Sequence, residues 1–388
     1  MSATIPVMIP KLGEEEAQAA ADAVRSGWVA QGPRVAEFER SFSALVGAEH
    51  GVAVSSCTTA LHLALIALGV GPGDEVIVPS LSFIATANAV RYVGATPIFA
   101  DVDIETGNVT VATLDEVRTA RTAAIIAVHQ GGLPFDVRSL RQAATGWGIP
   151  LVEDAACAAG STAYGAPVGA GSLLSAWSFH PRKVITTGEG GMITLDDADR
   201  AARLRRLREH GMNVSAADRH KSAQPILEAY LETGWNFRMT DIQAAVGLVQ
   251  LGRLTGLVAQ RRQLAARYQE LLAGIDGLWA VRDPAYGESN FQSFWVLLSP
   301  EFGVTRDQVL TELAAAGVSA RRGIMASHLE PAYQDVVPPA GLPNTERLTR
   351  DSLILPLHHA LTEDDQDHIV GVLRKLAGSF RTVGSTAS

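Results

Sequence analysis

The sequence predicts an α/β protein: a large domain built on a mostly parallel sheet flanked by helices, followed by a smaller C-terminal α+β domain. Two observations carry this. Short apolar, β-rich runs alternate with helical stretches through about the first two-thirds of the 388 residues, and strands apolar on both faces belong to parallel sheets covered on both sides. Beyond about residue 250 the alternation gives way to a strand, helix, strand, helix pattern, so the domains are drawn as 1–250 and 251–388.

Residues 51–54 read as a strand and 58–68 as a helix apolar almost all round, hence buried. A strand over 75–78 precedes a helix over 83–93. Residues 97–100, 124–128 and 150–153 are three more buried strands, with a helix over 134–147 between the last two. Residues 200–210 read as a charged surface helix. Residues 212–234 have no strong period and contain Arg219, His220 and Lys221, so a loop or flap is expected. A long helical pattern over 240–275 is expected to break near Gly252. Then come a strand at 294–298, a helix at 305–315, a strand at 352–355 and a helix at 362–377. The polar tail 378–388 is expected to be disordered. Strand carboxyl ends are where such sheets bind ligands, and Ser55 to Thr59, Pro79 to Phe83 and Asp154 all fall there.

A net charge of −9 with no basic tract argues against a general nucleic-acid binder, while leaving room for a small anionic substrate in a locally basic pocket. The two cysteines, Cys57 and Cys157, have no CxxC spacing, which argues against a zinc site or a disulfide framework and fits a reducing compartment. The first 13 residues do not read as a signal peptide, and no apolar run is long enough to span a bilayer. A cytoplasmic protein without membrane or nucleic-acid partners is expected.

The chemistry is concentrated in three places. Ser55-Ser56-Cys57-Thr58-Thr59 follows a strand and opens a helix, where free N–H groups and hydroxyls bind anions; ordinary N-capping would use the same residues. Asp154 ends the strand Pro150-Leu151-Val152-Glu153, where a buried carboxylate calls for a cationic partner; a helix cap or a metal ligand are the alternatives. Lys183 sits in Ser178-Phe179-His180-Pro181-Arg182-Lys183-Val184-Ile185-Thr186-Thr187-Gly188-Glu189-Gly190-Gly191, a turn whose glycines let backbone approach a ligand closely. Lysine plus strand-end aspartate is what a pyridoxal phosphate (PLP) enzyme needs: the lysine forms the Schiff base, the aspartate keeps the pyridine nitrogen protonated, and hydroxyls and amides hold the phosphate. Phe83 is either a ring-stacking aromatic or a core phenylalanine. His180 reads as a core histidine, and His358-His359 lacks the companions a metal site needs. Neither a P-loop nor a dinucleotide fingerprint is present, since Gly69-Val70-Gly71-Pro72-Gly73 has the wrong spacing and follows a helix.

Five motifs in order carry a resemblance over about residues 9–375: Gln31-Gly32-Pro33; Thr58-Thr59-Ala60-Leu61-His62-Leu63-Ala64-Leu65; Glu153-Asp154-Ala155-Ala156; the segment 178–191; and Gly234-Trp235-Asn236-Phe237-Arg238-Met239-Thr240-Asp241-Ile242-Gln243-Ala244-Ala245. On these the chain resembles the DegT/StrS family of sugar aminotransferases, PLP enzymes of fold type I. The resemblance implies that Lys183 is the Schiff-base lysine and proton shuttle and that Asp154 pairs with the pyridine nitrogen. It further implies phosphate contacts from Thr58, Thr59 and Ser178, ring stacking by Phe83, and a place beside the cofactor for Cys157. Asn236 would reach the phosphate of a neighbouring subunit, so a homodimer is implied. His328 and Glu189 would lie near the substrate. Cys57 stands where the family often has glycine, and Cys157 where glutamine or histidine is frequent; a thiol is a weak hydrogen-bond donor, which affects how the ring hydroxyl is held. Some members replace the lysine by histidine and become dehydratases, a variant that Lys183 disfavours.

The expected activity is transfer of an amino group from an amino acid, L-glutamate first, to a keto sugar linked to a nucleotide. A keto-cyclitol acceptor and a PLP-binding regulatory protein are the alternatives.

Overall fold

The computed structural model describes residues 4–214 and 227–384. Arg219, His220 and Lys221 of the expected flap therefore lie outside the described residues.

The first strands are β1 (His50–Val54), β2 (Glu75–Pro79), β3 (Thr96–Ala100), β4 (Thr122–Val128) and β5 (Leu151–Asp154). They are followed by the short pair β6 (Thr162–Ala163) and β7 (Ala166–Pro167), then β8 (Leu174–Ser178) and β9 (Gly191–Leu195). Seven of these form one sheet in the order β1-β9-β8-β5-β4-β2-β3. Neighbours pair parallel from β8 through β5, β4 and β2 to β3. Strand β9 runs antiparallel to both β8 and β1. Every residue of β2 and β5 is buried, as expected of a sheet covered on both faces.

The helices of this part of the chain are α1 (Glu14–Arg25), α2 (Pro33–Leu45), α3 (Cys57–Ala67), α4 (Ala85–Tyr92), α5 (Val111–Val117), α6 (Val137–Trp147) and α7 (Ala198–Leu207). Helix α8 (Asp241–Leu272) follows, 32 residues without interruption. The expected break at Gly252 does not occur. A Cβ there would meet nothing within 4 Å, so the position is on an open face, and the propensity penalty of a glycine, about 1 kcal/mol, is outweighed by packing of the helix against α1 and α2. The start of α8 is fixed twice. Thr240 caps it, accepting from the Gln243 N–H, and the Asp241 carboxylate accepts N–H bonds from Gly32, Arg34 and Val35 at the start of α2. The domain limit drawn near residue 250 falls inside this helix.

The remaining strands are β10 (Leu278–Ala280), β11 (Gly287–Glu288), β12 (Phe294–Leu298), β13 (Arg321–Arg322) and β14 (Ser352–Leu355). Four of them form a second, antiparallel sheet ordered β10-β12-β14-β13, while β11 joins β6 and β7. Helices α9 (Arg306–Ala315), α10 (Pro343–Asp351) and α11 (Glu363–Gly384) accompany it. Helix α11 reaches into the segment read as a tail, and 385–388 lie outside the described residues. One apolar core joins the two sheets, running from Ile77 and Ile125 through Phe135 and Tyr268 to Phe294, Leu353 and Ile369.

Candidate active site

A cavity of about 560 Å³ opens at the carboxyl ends of the parallel strands, where the chain leaves each strand for its crossover. Val128, Asp154 and Ser178, the last residues of β4, β5 and β8, all line it. Because β9 runs the other way, its first residue, Gly191, arrives at the same edge, opposite Val54 and Ser178.

Asp154 is 5% exposed. Its Oδ1 accepts the N–H of Ala156 at 3.1 Å, and its Oδ2 accepts the Thr86 hydroxyl at 3.1 Å. Thr86 is itself held by Ser82, hydroxyl to hydroxyl at 2.8 Å. Burial pushes the Asp154 pKa above the ordinary carboxylate value, and the Ala156 N–H, Lys183 and Thr86 only partly offset it. The result is an oriented, under-compensated carboxylate at the cavity wall. His129, next along from β4, ties this strand end down by donating its backbone N–H to the Asp154 carbonyl.

Lys183 comes from the turn between β8 and β9. That turn is closed by its own polar groups: the Lys183 N–H donates to the His180 carbonyl, the Thr186 hydroxyl to the Phe179 carbonyl, and the Gly188 N–H to the Thr186 hydroxyl. Gly188 adopts φ +84°, which explains a glycine at that point. The Lys183 Nζ donates to the Cys157 Sγ at 3.0 Å. Burial alone would lower the Lys183 pKa, but the neighbouring Cys157, Cys57 and Asp154 outweigh it and the net direction is up. Cys57 Sγ lies 4.0 Å from Asp154 Oδ1, and burial, then the Asp154 charge, push that thiol's pKa well up.

The third component is the start of α3. Ser56 caps it by accepting the Thr59 N–H, and the Thr59 hydroxyl donates back to the Ser56 carbonyl at 2.7 Å. The N–H groups of Cys57 and Thr58, the first two of the helix, have no intrahelical acceptor. A Cβ on Gly191 would come within 2.4 Å of the Ser56 carbonyl carbon and 2.6 Å of the Cys57 nitrogen, so only glycine lets β9 press against this helix start.

Of the residues singled out in the sequence, Thr58, Phe83, Asp154, Cys157, Ser178, Lys183 and Glu189 all line the one cavity. Three do not. The Thr59 hydroxyl is spent on the cap. Asn236 is exposed, with its backbone bridged to Glu209. His328 sits behind the wall, its Nδ1 2.6 Å from the Ser80 hydroxyl and its Nε2 3.6 Å from Glu346. Phe83 is 69% exposed, so it is no core phenylalanine. His180 is a correction too: it lines the cavity, its side chain is 42% exposed, and it lies 3.9 Å from Glu189, because the turn that delivers Lys183 lifts it off the core. Thr86 was missed by sequence reasoning; the only local signal was its i,i+4 spacing from Ser82 across a helix start.

The family model for DegT/DnrJ/EryC1/StrS aminotransferases matches residues 10–374. The chain belongs to this family. Solved structures of similar chains agree. An aminotransferase, TlmJ from Streptoalloteichus hindustanus, is 36% identical over 97% of this chain and 100% of its own, with a TM-score of 0.89. Spr1654 from Streptococcus pneumoniae, solved in its PMP form, is 29% identical over 97% and 99%, with a TM-score of 0.90. DesI, solved in the presence of its TDP-sugar product, is 33% identical over 100% and 96%, with a TM-score of 0.88.

This DegT-family enzyme is a PLP-dependent aminotransferase. The residues present fit the cofactor on their own chemistry. PLP has an anionic end, a ring nitrogen that needs a buried carboxylate, and an aldehyde that needs an amine. The cavity offers a helix N-terminus with hydroxyls, the under-compensated Asp154 and the Lys183 amine.

Proposed function

We propose that this enzyme transfers the amino group of L-glutamate to a keto sugar carried on a nucleotide, and that it works as a homodimer. The observation that carries the reading is the meeting of Lys183 and Asp154, 29 positions apart in sequence, in one cavity beside the start of α3. When bound, PLP supplies the electron sink that lets an amino group be taken from one substrate and given to the next.

The chain's residues then divide the work. Asp154, fixed by Thr86 and Ala156, holds a proton at the ring nitrogen. Thr58, Ser178 and the first N–H groups of α3 hold the phosphate, and Thr59 serves them through the cap. Phe83, exposed in the cavity lining, would supply an aromatic face to the ring. Lys183 would supply the amine that takes up and returns a proton at the substrate carbon. The Cys157 sulfur accepts from the Lys183 amine at 3.0 Å, so before the cofactor is bound the thiol side chain keeps that amine inside the cavity. Glu189 at the rim is a substrate contact, whereas His328 acts from behind, holding Ser80 at the end of β2. Asn236, exposed and outside its own cavity, supports the dimer: it is available to a neighbouring subunit's phosphate site. DesI, solved with a TDP-sugar product, supports the nucleotide-linked acceptor. The free Cys57 and Cys157 suit a reducing, cytoplasmic setting.

The test is the absorbance spectrum of the PLP-loaded protein before and after L-glutamate, followed by a panel of keto acceptors. Glutamate should move the visible cofactor band to the near-ultraviolet, and a nucleotide-linked keto sugar should restore it. Restoration only by a keto-cyclitol would replace the acceptor. A band that no amino acid moves would leave a PLP-binding regulatory protein and sink the proposal. Lys183→Ala should lose at least the 10²–10⁴-fold typical of proton-transfer catalysis, roughly, while Asp154 and the α3 start still retain PLP.

A further inference from the structure

Two arginines line the cavity and have no part in holding the cofactor. Arg182 precedes Lys183 in the turn after β8, and Arg321 stands on β13 of the second sheet, so the two reach the cavity from different sheets. Their backbones are tied. The Gln292 side chain donates to the Arg182 carbonyl, and Arg321 pairs with Ile354 across β13 and β14. Both Gln292 and Ile354 also line the cavity.

Among the described residues, neither guanidinium has a hydrogen bond or an ion pair, although most arginines of this chain do. Arg141 meets Glu153, Arg203 meets Glu232 and Arg262 meets Glu288, for example. The two also oppose each other: burial, then the charge of Arg182, depress the Arg321 pKa. Two carboxylates share the cavity. Asp154 is buried and held by Thr86 and Ala156, and Glu189 is exposed and nearest to His180. Lys183 adds a third cation, already placed on Cys157. In a chain of net charge −9, the two guanidinium groups are a local concentration of unpaired positive charge, and they line the space where substrate must enter. Guanidinium groups present paired N–H donors that match the oxygens of carboxylates and phosphates.

We propose that Arg182 and Arg321 form an oxyanion subsite at the mouth of the cavity, which grips a carboxylate or diphosphate of the substrates. The assignment rests on the aminotransferase reading of this cavity. Both anions occur there: an amino-acid donor brings the carboxylate, and a nucleotide-linked acceptor brings the diphosphate.

The experiment is calorimetric titration of the PLP-loaded protein with succinate and, separately, with inorganic pyrophosphate. It is repeated for Arg182→Gln, Arg321→Gln and a control, Arg322→Gln. Arg322 does not line the cavity, and its guanidinium lies 3.9 Å from Glu330. The wild-type protein should bind at least one anion. Each cavity variant should weaken that binding about 10–100-fold, the range for losing hydrogen bonds to a charged group, while the control stays at the wild-type value. The cofactor absorbance of every variant reports whether the fold and the PLP site are intact. Weakened succinate binding with a raised KM for glutamate assigns the subsite to the donor. Weakened pyrophosphate binding with a raised KM for the acceptor assigns it to the diphosphate. Wild-type affinity in both cavity variants, equal loss in the control, or a wild-type protein that binds neither anion overturns the subsite. Should the wild-type enzyme transfer no amino group at all, the proposed function falls, yet the two titrations still judge the arginines.

Discussion

Replacing Asp154 by asparagine separates what this carboxylate does for the cofactor from what it does to the fold. Asparagine keeps the volume and an oxygen to accept from Thr86 or Ala156, each now at 3.1 Å, so the cavity wall should hold its shape while the charge disappears. With PLP bound, the loss is one hydrogen bond to a charged partner, about 1.5–3 kcal/mol. At about 1.4 kcal/mol per factor of ten, PLP affinity should fall about 10–100-fold. Without PLP the effect has the opposite sign. Burial raises the Asp154 pKa, so over the window above the ordinary carboxylate value the native state binds more protons than the unfolded chain, and stability falls as pH rises through that window. The charge thus opposes folding at neutral pH. The cofactor-free Asp154→Asn protein should melt no lower than wild type at pH 7, with any advantage vanishing in acid below the ordinary carboxylate range. Equilibrium titration with PLP and thermal melts of the cofactor-free protein at both pH values test the pair of claims. Unchanged PLP affinity would remove the ring-nitrogen role. A cofactor-free variant melting well below wild type would make the carboxylate a structural element and refute the reasoning.

Gly191→Ala drives a Cβ to within 2.4 Å of Ser56 backbone; it should destabilise the protein by about 1–3 kcal/mol in urea titrations and loosen PLP by disturbing the start of α3. Arg208→Met leaves Glu39 buried without its cation, the side chains being 5% and 9% exposed, and should lower unfolding free energy by about 3–5 kcal/mol. Glu153 is buried, which alone would raise its pKa, but the hydrogen bond from His129 and the charge of Arg141 bring it below the ordinary value. Its contribution to stability is therefore present above the ordinary carboxylate pKa and is lost as pH falls through the depressed value. Glu153→Gln should flatten the acid limb of a stability-versus-pH curve, and an unchanged limb would contradict that sign.

Much of the larger sheet was legible because each of its central strands is apolar on both faces, a pattern that reports burial locally: β2, β4 and β5 stand where their apolar runs are. Strand β9 was not read as a strand, since it begins at the last glycine of the lysine segment, whose glycines mask the apolar residues beside them. Helix α1 was missed because its three-glutamate first turn and alanine run bury only Glu16 and Ala23, too few for a period. Gly252 misled in the other direction: propensity is a local quantity, and the packing that keeps α8 whole comes from α1 and α2, more than 200 positions away.

The candidate site divides along the same line. By itself the sequence determined the chemical inventory: a lysine in a glycine-rich turn, an aspartate at the end of a buried strand, and hydroxyls at a helix start, together with motifs in a family's order. Those are properties of short segments, each fixed by its own backbone. Only the tertiary structure decided which of those groups share a space. Lys183 meets Cys157 rather than solvent, Thr86 aims Asp154, Thr59 turns inward to its cap, His328 stands behind the wall, and Arg321 crosses from the second sheet to line the cavity with Arg182. The physical reason is strand order. Residues far apart in the chain become neighbours through a sheet that runs β1-β9-β8-β5-β4-β2-β3, and no local period in the sequence encodes that permutation.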